Sequence, residues 1–197
     1  MTAALYVIAS YLIGSLSAAI LVSRALGKGD PRAVGSGNPG ATNVLRSFGK
    51  FAAAATLIGD VMKGVVPVLA AWEFGLPTLA IALAGLAAFA GHLYPLFFGF
   101  RGGKGVATQI GVLTGFDWRL GVAFIVTWLV VAGVTRYSSL AALVATLLAP
   151  LVAMALKLPS PLIGSAMVIV AAVFWRHRAN IERLLNGTES RIGKSRA

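Results

Sequence analysis

Four short polar stretches interrupt an otherwise apolar chain, and their residue types suit the binding of anions. The first is Val34-Gly35-Ser36-Gly37-Asn38-Pro39-Gly40-Ala41-Thr42-Asn43. Glycines lack Cβ, so their backbone N–H groups can converge on an anion. Ser36, Asn38, Thr42 and Asn43 add neutral polar groups, and Arg46 adds a cation. Gly35, Gly37 and Gly40 fit the spacing G-x-G-x-x-G, but a dinucleotide loop must follow a strand within a βαβ unit. A membrane-type apolar segment precedes this stretch instead, which removes that reading. A plain turn between helices needs only a few residues. Ten mostly small residues, four of them polar and three glycine, argue for binding.

The second stretch is Gly99-Phe100-Arg101-Gly102-Gly103-Lys104-Gly105-Val106-Ala107-Thr108. It is not a Walker loop, because Phe98 stands where that motif needs Gly and Gly105 follows Lys104 where it needs Ser or Thr. It has the same parts: Gly102, Gly103 and Gly105 around a Lys, with Thr108 in the helix that follows. A helix N-terminus offers free amides and partial positive charge to a phosphate. The third stretch, Arg136-Tyr137-Ser138-Ser139-Leu140, reads equally well as an anchor with a helix N-cap and as a ligand group. The fourth is Arg176-His177-Arg178-Ala179-Asn180-Ile181-Glu182-Arg183. On a helix, His177 and Asn180 share a face, with Arg176 and Arg183 on or near it. Ile181, Leu184 and Leu185 form an apolar stripe suited to a helix lying on a membrane surface. An anchor for anionic lipid is the alternative.

Two further features lie inside apolar segments. Asp60 and Lys63 are three residues apart and can pair, either as a functional site or as a structural ion pair. His92 sits in Gly91-His92-Leu93-Tyr94-Pro95, before a proline that ends or bends a helix. It suits a helix–helix hydrogen bond or the chemistry. The chain has no cysteine, two histidines and six scattered acids. That argues against disulfides, a thiolate nucleophile and a protein-held metal centre. An H-x-x-x-x-D dyad is missing, since Phe97 and Glu182 stand five residues after the two histidines.

These groups need elements to hold them. Hydrophobic residues make up 58% of the 197 and charged residues 12%, with mean hydropathy +0.85. A soluble domain carries about 25% charged residues, so a polytopic membrane protein remains. The net charge of +11 then marks the cytoplasmic side rather than nucleic acid. Seven apolar segments read as helices: 1–23, 51–72, 76–98, 105–117, 120–135, 138–156 and 160–176, with a tail over 177–197. The whole of 1–197 is one polytopic domain. With the N-terminus outside, 14 of the 17 Lys and Arg fall inside, and only Arg119 and Lys157 fall outside. Removing the short segment 105–117 alone would put the basic tail outside, against the positive-inside rule. The expected fold is therefore all-α and integral to the membrane. It has seven transmembrane helices, one of them short, and a cytoplasmic C-terminus. All four polar stretches then face the cytoplasm.

The ordered motifs resemble those of the bacterial acyl-phosphate:glycerol-3-phosphate acyltransferases. The resemblance rests on Gly35–Asn43, on Asp60-Val61-Met62-Lys63-Gly64, and on Gly91–Pro95 continuing to Gly102–Thr108. It extends to Arg136–Leu140 and Arg176–Ile181. It implies an integral plasma-membrane enzyme that acylates the sn-1 hydroxyl of glycerol 3-phosphate from acyl phosphate. The products are lysophosphatidate and phosphate, in the first acylation of phospholipid synthesis. No cofactor or metal is implied. The partners are the two substrates, membrane lipids and the enzyme that supplies acyl phosphate. Ser36, Asn38, Lys104 and His177 are assigned to the catalytic set. Substrate binding falls to Gly35, Gly37, Gly40, Thr42, Asn43, Arg46, Asp60, Lys63, His92, Gly102, Gly103, Gly105, Thr108, Ser139 and Asn180. The tail after Asn186 carries no assignment. The competing reading is an organophosphate or anion transporter, which accounts for the basic pocket. It does not account for polar stretches on one side only, because carriers place their sites near the midplane.

Overall fold

The computed structural model describes residues 2–193, and every regular element among them is helical. Helices α1 (Ala3–Gly14) and α2 (Ala18–Ala25) are bent by 44° at a short break, so the first apolar segment is one broken element rather than a straight span. Helix α3 (Ala41–Phe48) is an additional short helix that hydropathy does not mark, ended by Gly49 at φ +94°. The long elements follow: α4 (Lys50–Glu73), α5 (Thr78–Leu93), α6 (Val106–Phe116), α7 (Trp118–Thr135), α8 (Ser138–Ala155), α9 (Ser160–Arg176) and α10 (Arg178–Leu185). Four helical stretches are long and apolar enough to cross a membrane, and the two bent pairs raise this to six. The short apolar α6 is the seventh expected segment. The protein is an all-helical integral membrane protein.

Local chemistry sets the ends. Pro77 and Pro159 precede α5 and α9, and Asp117 caps α7 by accepting from the Arg119 N–H at 2.8 Å. Tyr94, which precedes Pro95, leaves the helical region and ends α5. The chain then makes a turn of 3-10 helix at Leu96–Phe98 and an irregular loop to Gly105.

Lipid is as apolar as a leucine face, so packing rather than water exclusion joins these helices. Val68, Ile81, Leu113, Leu120, Leu162 and Ile169 are almost fully enclosed. Outward positions such as Ile58, Val126, Leu129 and Val134 are exposed and apolar, as a lipid-facing surface requires. At the α4–α6 crossing, Gly64 and Gly111 face each other's backbone. A Cβ on Gly64 would strike the Thr108 carbonyl, and one on Gly111 would strike the Val61 carbonyl. This contact seats α6, and with it the loop that precedes it.

Gly111→Val should therefore force α4 and α6 apart. The expected loss is about 1–3 kcal/mol, seen as a lower unfolding temperature in detergent. Gly133→Val, at an open position on α7, should melt like the wild type. Equal melting of both variants would overturn this account of the crossing.

Candidate active site

Three of the polar stretches meet at one end of the bundle. Arg176, at the end of α9, donates from Nε to the Gly103 carbonyl at 3.1 Å and from Nη2 to the Gly102 carbonyl at 2.8 Å. Its guanidinium also lies 5.7 Å from the Tyr94 ring centre. Lys104 Nζ donates to Asn180 Oδ1 on α10. Asn180 Nδ2 donates to Glu189 Oε1 at 2.7 Å, and Ser139 Oγ donates to the same oxygen at 2.9 Å. Arg183 Nε reaches Glu189 Oε2 at 2.7 Å. His177, at the α9–α10 bend, is buried, and its Nδ1 lies 2.8 Å from the Val173 carbonyl. That contact assigns the proton to Nδ1 and leaves Nε2 as an acceptor.

The first stretch borders this cluster. Arg32 is held by Asp30 and donates to the Phe98 carbonyl at 2.9 Å, which ties the first loop to the second. Arg46, on α3, is exposed and donates to Ser190 Oγ at 3.0 Å. Gly35, Ser36, Gly37 and Thr42 are exposed, Asn38 and Gly40 are half-buried, and Asn43 is buried. The Asn43 side chain is spent on the loop itself. Its Nδ2 donates to the Pro31 and Val34 carbonyls at 2.9 and 3.1 Å, and its Oδ1 accepts from the Ser36 N–H at 2.9 Å. Asn43 thus shapes the loop, and the Ser36 amide is engaged rather than offered to an anion.

Asp60, Lys63, His92 and Thr108 lie behind the glycine loop. Asp60 Oδ1 is 3.0 Å from Lys63 Nζ and 3.5 Å from His92 Nδ1. Thr108 Oγ1 is 3.1 Å from His92 Nδ1, and Lys63 Nζ also donates to the Leu16 carbonyl in the α1–α2 break at 2.8 Å. All four side chains are buried. They act on the site through the loop. The Gly103 N–H donates to the His92 carbonyl at 3.2 Å. A Cβ on Gly103 would collide with the His92 ring, and one on Gly102 with the His92 carbonyl. The two glycines are required by this close approach. Gly105, at φ +85°, turns the chain into α6.

Burial pulls the Lys104 ammonium down to about 8, with Arg183, Arg176 and Arg46 adding to the fall and Glu189 opposing it. Desolvation acts to raise Glu189. Hydrogen bonds from Asn180, Arg183 and Ser139 outweigh it and hold the carboxyl below the usual range.

An apolar groove of about 290 Å³ opens beside the polar cluster, lined by Leu140, Leu143, Val144 and Leu147 of α8, with Phe174, Ile181 and Leu184 closing it. Leu140 and Ile181 directly follow Ser139 and Asn180 in sequence, so the groove lies at the same end of α8 and α10 as the polar donors. Polar donors near an apolar groove can accommodate an amphiphilic phosphate.

Comparison with known proteins agrees with that chemistry. Residues 4–187 match the family profile described as glycerol-3-phosphate acyltransferase. The chain belongs to the glycerol-3-phosphate acyltransferase family. The protein of that name from Halorhodospira halophila is 54% identical over 189 residues, covering 96% of each chain. That from Hydrogenovibrio crunogenus is 56% identical over 186 residues, covering 94% of this chain and 89% of the relative. The crystal structure of PlsY (YgiH), an integral membrane glycerol 3-phosphate acyltransferase, in its glycerol 3-phosphate form has a TM-score of 0.92 and 41% identity. It covers 97% of this chain and 96% of that one. The lysophosphatidic acid form of the same protein gives 0.90 and 40%. The present chain is an acyltransferase of this family.

Arg176, Arg183 and Glu189 join the site without having been assigned to it by sequence. The two arginines stand in the fourth stretch beside His177 and Asn180, which was the available signal, but the single helix expected there is broken at His177, so Arg176 ends α9 and Arg183 belongs to α10. Glu189 had none, because it arrives by a chain reversal after α10.

Two outcomes follow from this geometry. Lys63→Met leaves Asp60 buried without its cation and should cost about 3–5 kcal/mol. Asp60→Asn with Lys63→Met should recover much of that loss in detergent melts, whereas additive losses would refute the pairing. Lys104 is charged below pH about 8. The KM for glycerol 3-phosphate should therefore rise as pH rises through that value, and Lys104→Arg should flatten the profile. A profile of the same shape in Lys104→Arg would assign the titration to another group.

Proposed function

We propose that this acyltransferase takes acyl phosphate as its donor and acylates the sn-1 hydroxyl of glycerol 3-phosphate, releasing lysophosphatidate and phosphate. This is the first acylation of phospholipid synthesis. The observation that carries the reading is the cluster of Lys104, Ser139, Asn180 and Arg183 beside the apolar groove. Ser139, Asn180 and Lys104, with Arg183, take the acceptor's phosphate. Ser36, Asn38 and Thr42 of the first loop and the Gly102–Gly103 loop flank the donor's phosphate and carbonyl, with Arg46 at the rim. The acyl chain lies along α8 in the groove. His177 faces the acceptor and orients it.

The transfer proceeds in one step. The acceptor hydroxyl oxygen attacks the acyl carbonyl carbon, a C–O ester bond forms, and the bond from that carbon to the phosphate oxygen breaks. The hydroxyl proton passes to an oxygen of the departing phosphate, so no protein nucleophile and no metal take part. The donor is already activated. Holding the reacting groups in line supplies about 7–11 kcal/mol of the barrier reduction, and Arg46 with the polar side chains of the first loop stabilises charge on the leaving phosphate. The polar end faces the cytoplasm, with the N-terminus outside and seven crossings, including the bent pairs and α6. The membrane is the bacterial plasma membrane, and the enzyme making acyl phosphate is the functional partner.

Purified protein in detergent should form lysophosphatidate from palmitoyl phosphate and glycerol 3-phosphate in the presence of EDTA, and none from palmitoyl-CoA. Lys104→Ala should raise the KM for glycerol 3-phosphate at least tenfold, the scale of about 1.4 kcal/mol for a lost ionic hydrogen bond. Product from palmitoyl-CoA at an equal rate would overturn the donor assignment, and wild-type kinetics in Lys104→Ala would remove that lysine from the site.

A further inference from the structure

After α10 the chain reverses and runs back across the polar cluster. The Thr188 and Glu189 N–H groups both donate to the Arg183 carbonyl, at 2.8 and 3.1 Å. The Ile192 N–H donates to the Arg136 carbonyl at 2.7 Å, and Arg136 Nη2 donates back to the Ile192 carbonyl at 2.9 Å. Arg191 lies over the Tyr137 ring at 5.4 Å and bonds its hydroxyl at 3.2 Å. Arg46 holds Ser190. Residues 188–193 thus form a strap, anchored on both sides of Glu189.

At the middle of the strap, the Glu189 carboxylate accepts from Ser139, Asn180 and Arg183. Lys104 holds the amide oxygen of the same Asn180. A carboxylate on two neutral donors and a guanidinium uses the contacts that phosphoryl oxygens would use. Two anions cannot share one set of donors, because like charges at contact repel and each needs the same N–H and O–H groups. We propose that Glu189 is an internal occupant of the acceptor-phosphate subsite, and that the strap must lift before glycerol 3-phosphate binds. This rests on the assignment of Ser139, Asn180 and Lys104 to that phosphate.

The strap therefore sets the affinity for the acceptor. Apparent affinity falls by the fraction of molecules that are open, so a strap seated about nine-tenths of the time raises the acceptor KM roughly tenfold. Glu189 offsets part of the pocket's positive charge in the interval between product release and the next acceptor. The donor's apolar groove lies outside the strap's contacts, so donor affinity should not depend on it.

The test uses the full chain, with glycerol 3-phosphate titrated at saturating palmitoyl phosphate. Glu189→Ala should lower the acceptor KM about tenfold and leave the donor KM unchanged. Glu189→Gln keeps the shape without the charge and should move KM the same way, which covers the case that the alanine variant fails to fold. The chain has no cysteine, and the Ile192 N–H meets the Arg136 carbonyl at 2.7 Å, so Arg136→Cys with Ile192→Cys places a lone cysteine pair across the strap's anchor, its disulfide to be verified by mass before kinetics. Oxidation should lock the strap and raise the acceptor KM, and reduction should restore it. An acceptor KM that is unchanged or raised on loss of Glu189 would overturn the proposal and make the residue a brace for Asn180 and Arg183. An unchanged KM in the oxidised pair would overturn it as well. Ser139→Ala and Lys104→Ala separate the two failures. If both retain the wild-type acceptor KM, the subsite assignment is wrong. If both raise it while Glu189 variants do not lower it, only the strap is.

Discussion

The buried ion pair of Asp60 and Lys63 is the constraint on which the site depends. A charge inside an apolar bundle is costly unless paired and hydrogen-bonded, and this pair is enclosed by α4, α5 and the α1–α2 break. Lys63 uses a second donor on the Leu16 carbonyl, one of the groups that the helix break leaves without an intrahelical partner. Asp60 also faces His92, whose backbone carbonyl receives the Gly103 N–H. The pair thereby sets the height of the end of α5, and the end of α5 sets the glycine loop. Arg176 grips the same loop from the far side through two carbonyls. Lys104 is held between a buried acid–base cluster behind it and a guanidinium above it.

On the proposed transfer from acyl phosphate, the chemistry asked of the protein is modest, and the architecture suits it. An activated acyl donor needs alignment and charge stabilisation more than a strong base. Rigid loop backbone, cations on three helices and a groove along α8 supply those. The histidines fit the same scheme. His92 is spent on Asp60 and Thr108, and His177 is tethered to the Val173 carbonyl. Both are oriented by the scaffold.

Much of this was legible in the sequence. Residue type and spacing located the glycine loops and the Asp60–Lys63 pair, but not the break at His177 that splits the expected helix into α9 and α10. Hydropathy located the long helices to within a few residues. What was not legible was which polar groups face the site and which face the scaffold. Asn43 and Thr108 look like ligands in the sequence, yet they are turned inward to tie Pro31, Val34 and His92. The α1–α2 bend was missed although it falls at Gly14-Ser15-Leu16-Ser17, a Gly/Ser run of the kind at which helices kink; what the sequence could not show is that Lys63, 47 positions away, bonds the Leu16 carbonyl there. Helix α3 was hidden because eight amphipathic residues beside a glycine-rich loop carry too short a pattern.

The tail shows the same limit most clearly. Asn186 to Gly193 is polar, short and rich in turn residues, which by composition describes a solvated end. Its role comes from where α10 ends. The 62° bend at His177 swings α10 across the bundle end, so a reversal after Leu185 must run back over Ser139 and Asn180. A single acid placed there meets an excess of cations. Glu189 pairs with Arg183, and around nearby Lys104 it is the single acid against Arg183, Arg176 and Arg46. An anion-binding site with that charge excess would attract any phosphate or anionic lipid headgroup within reach. A tethered carboxylate is an economical remedy, because its effective concentration is high but its affinity is limited by the strap's own contacts. It can exclude weak, adventitious anions and still yield to a substrate that brings a dianionic phosphate together with a hydroxyl to be acylated.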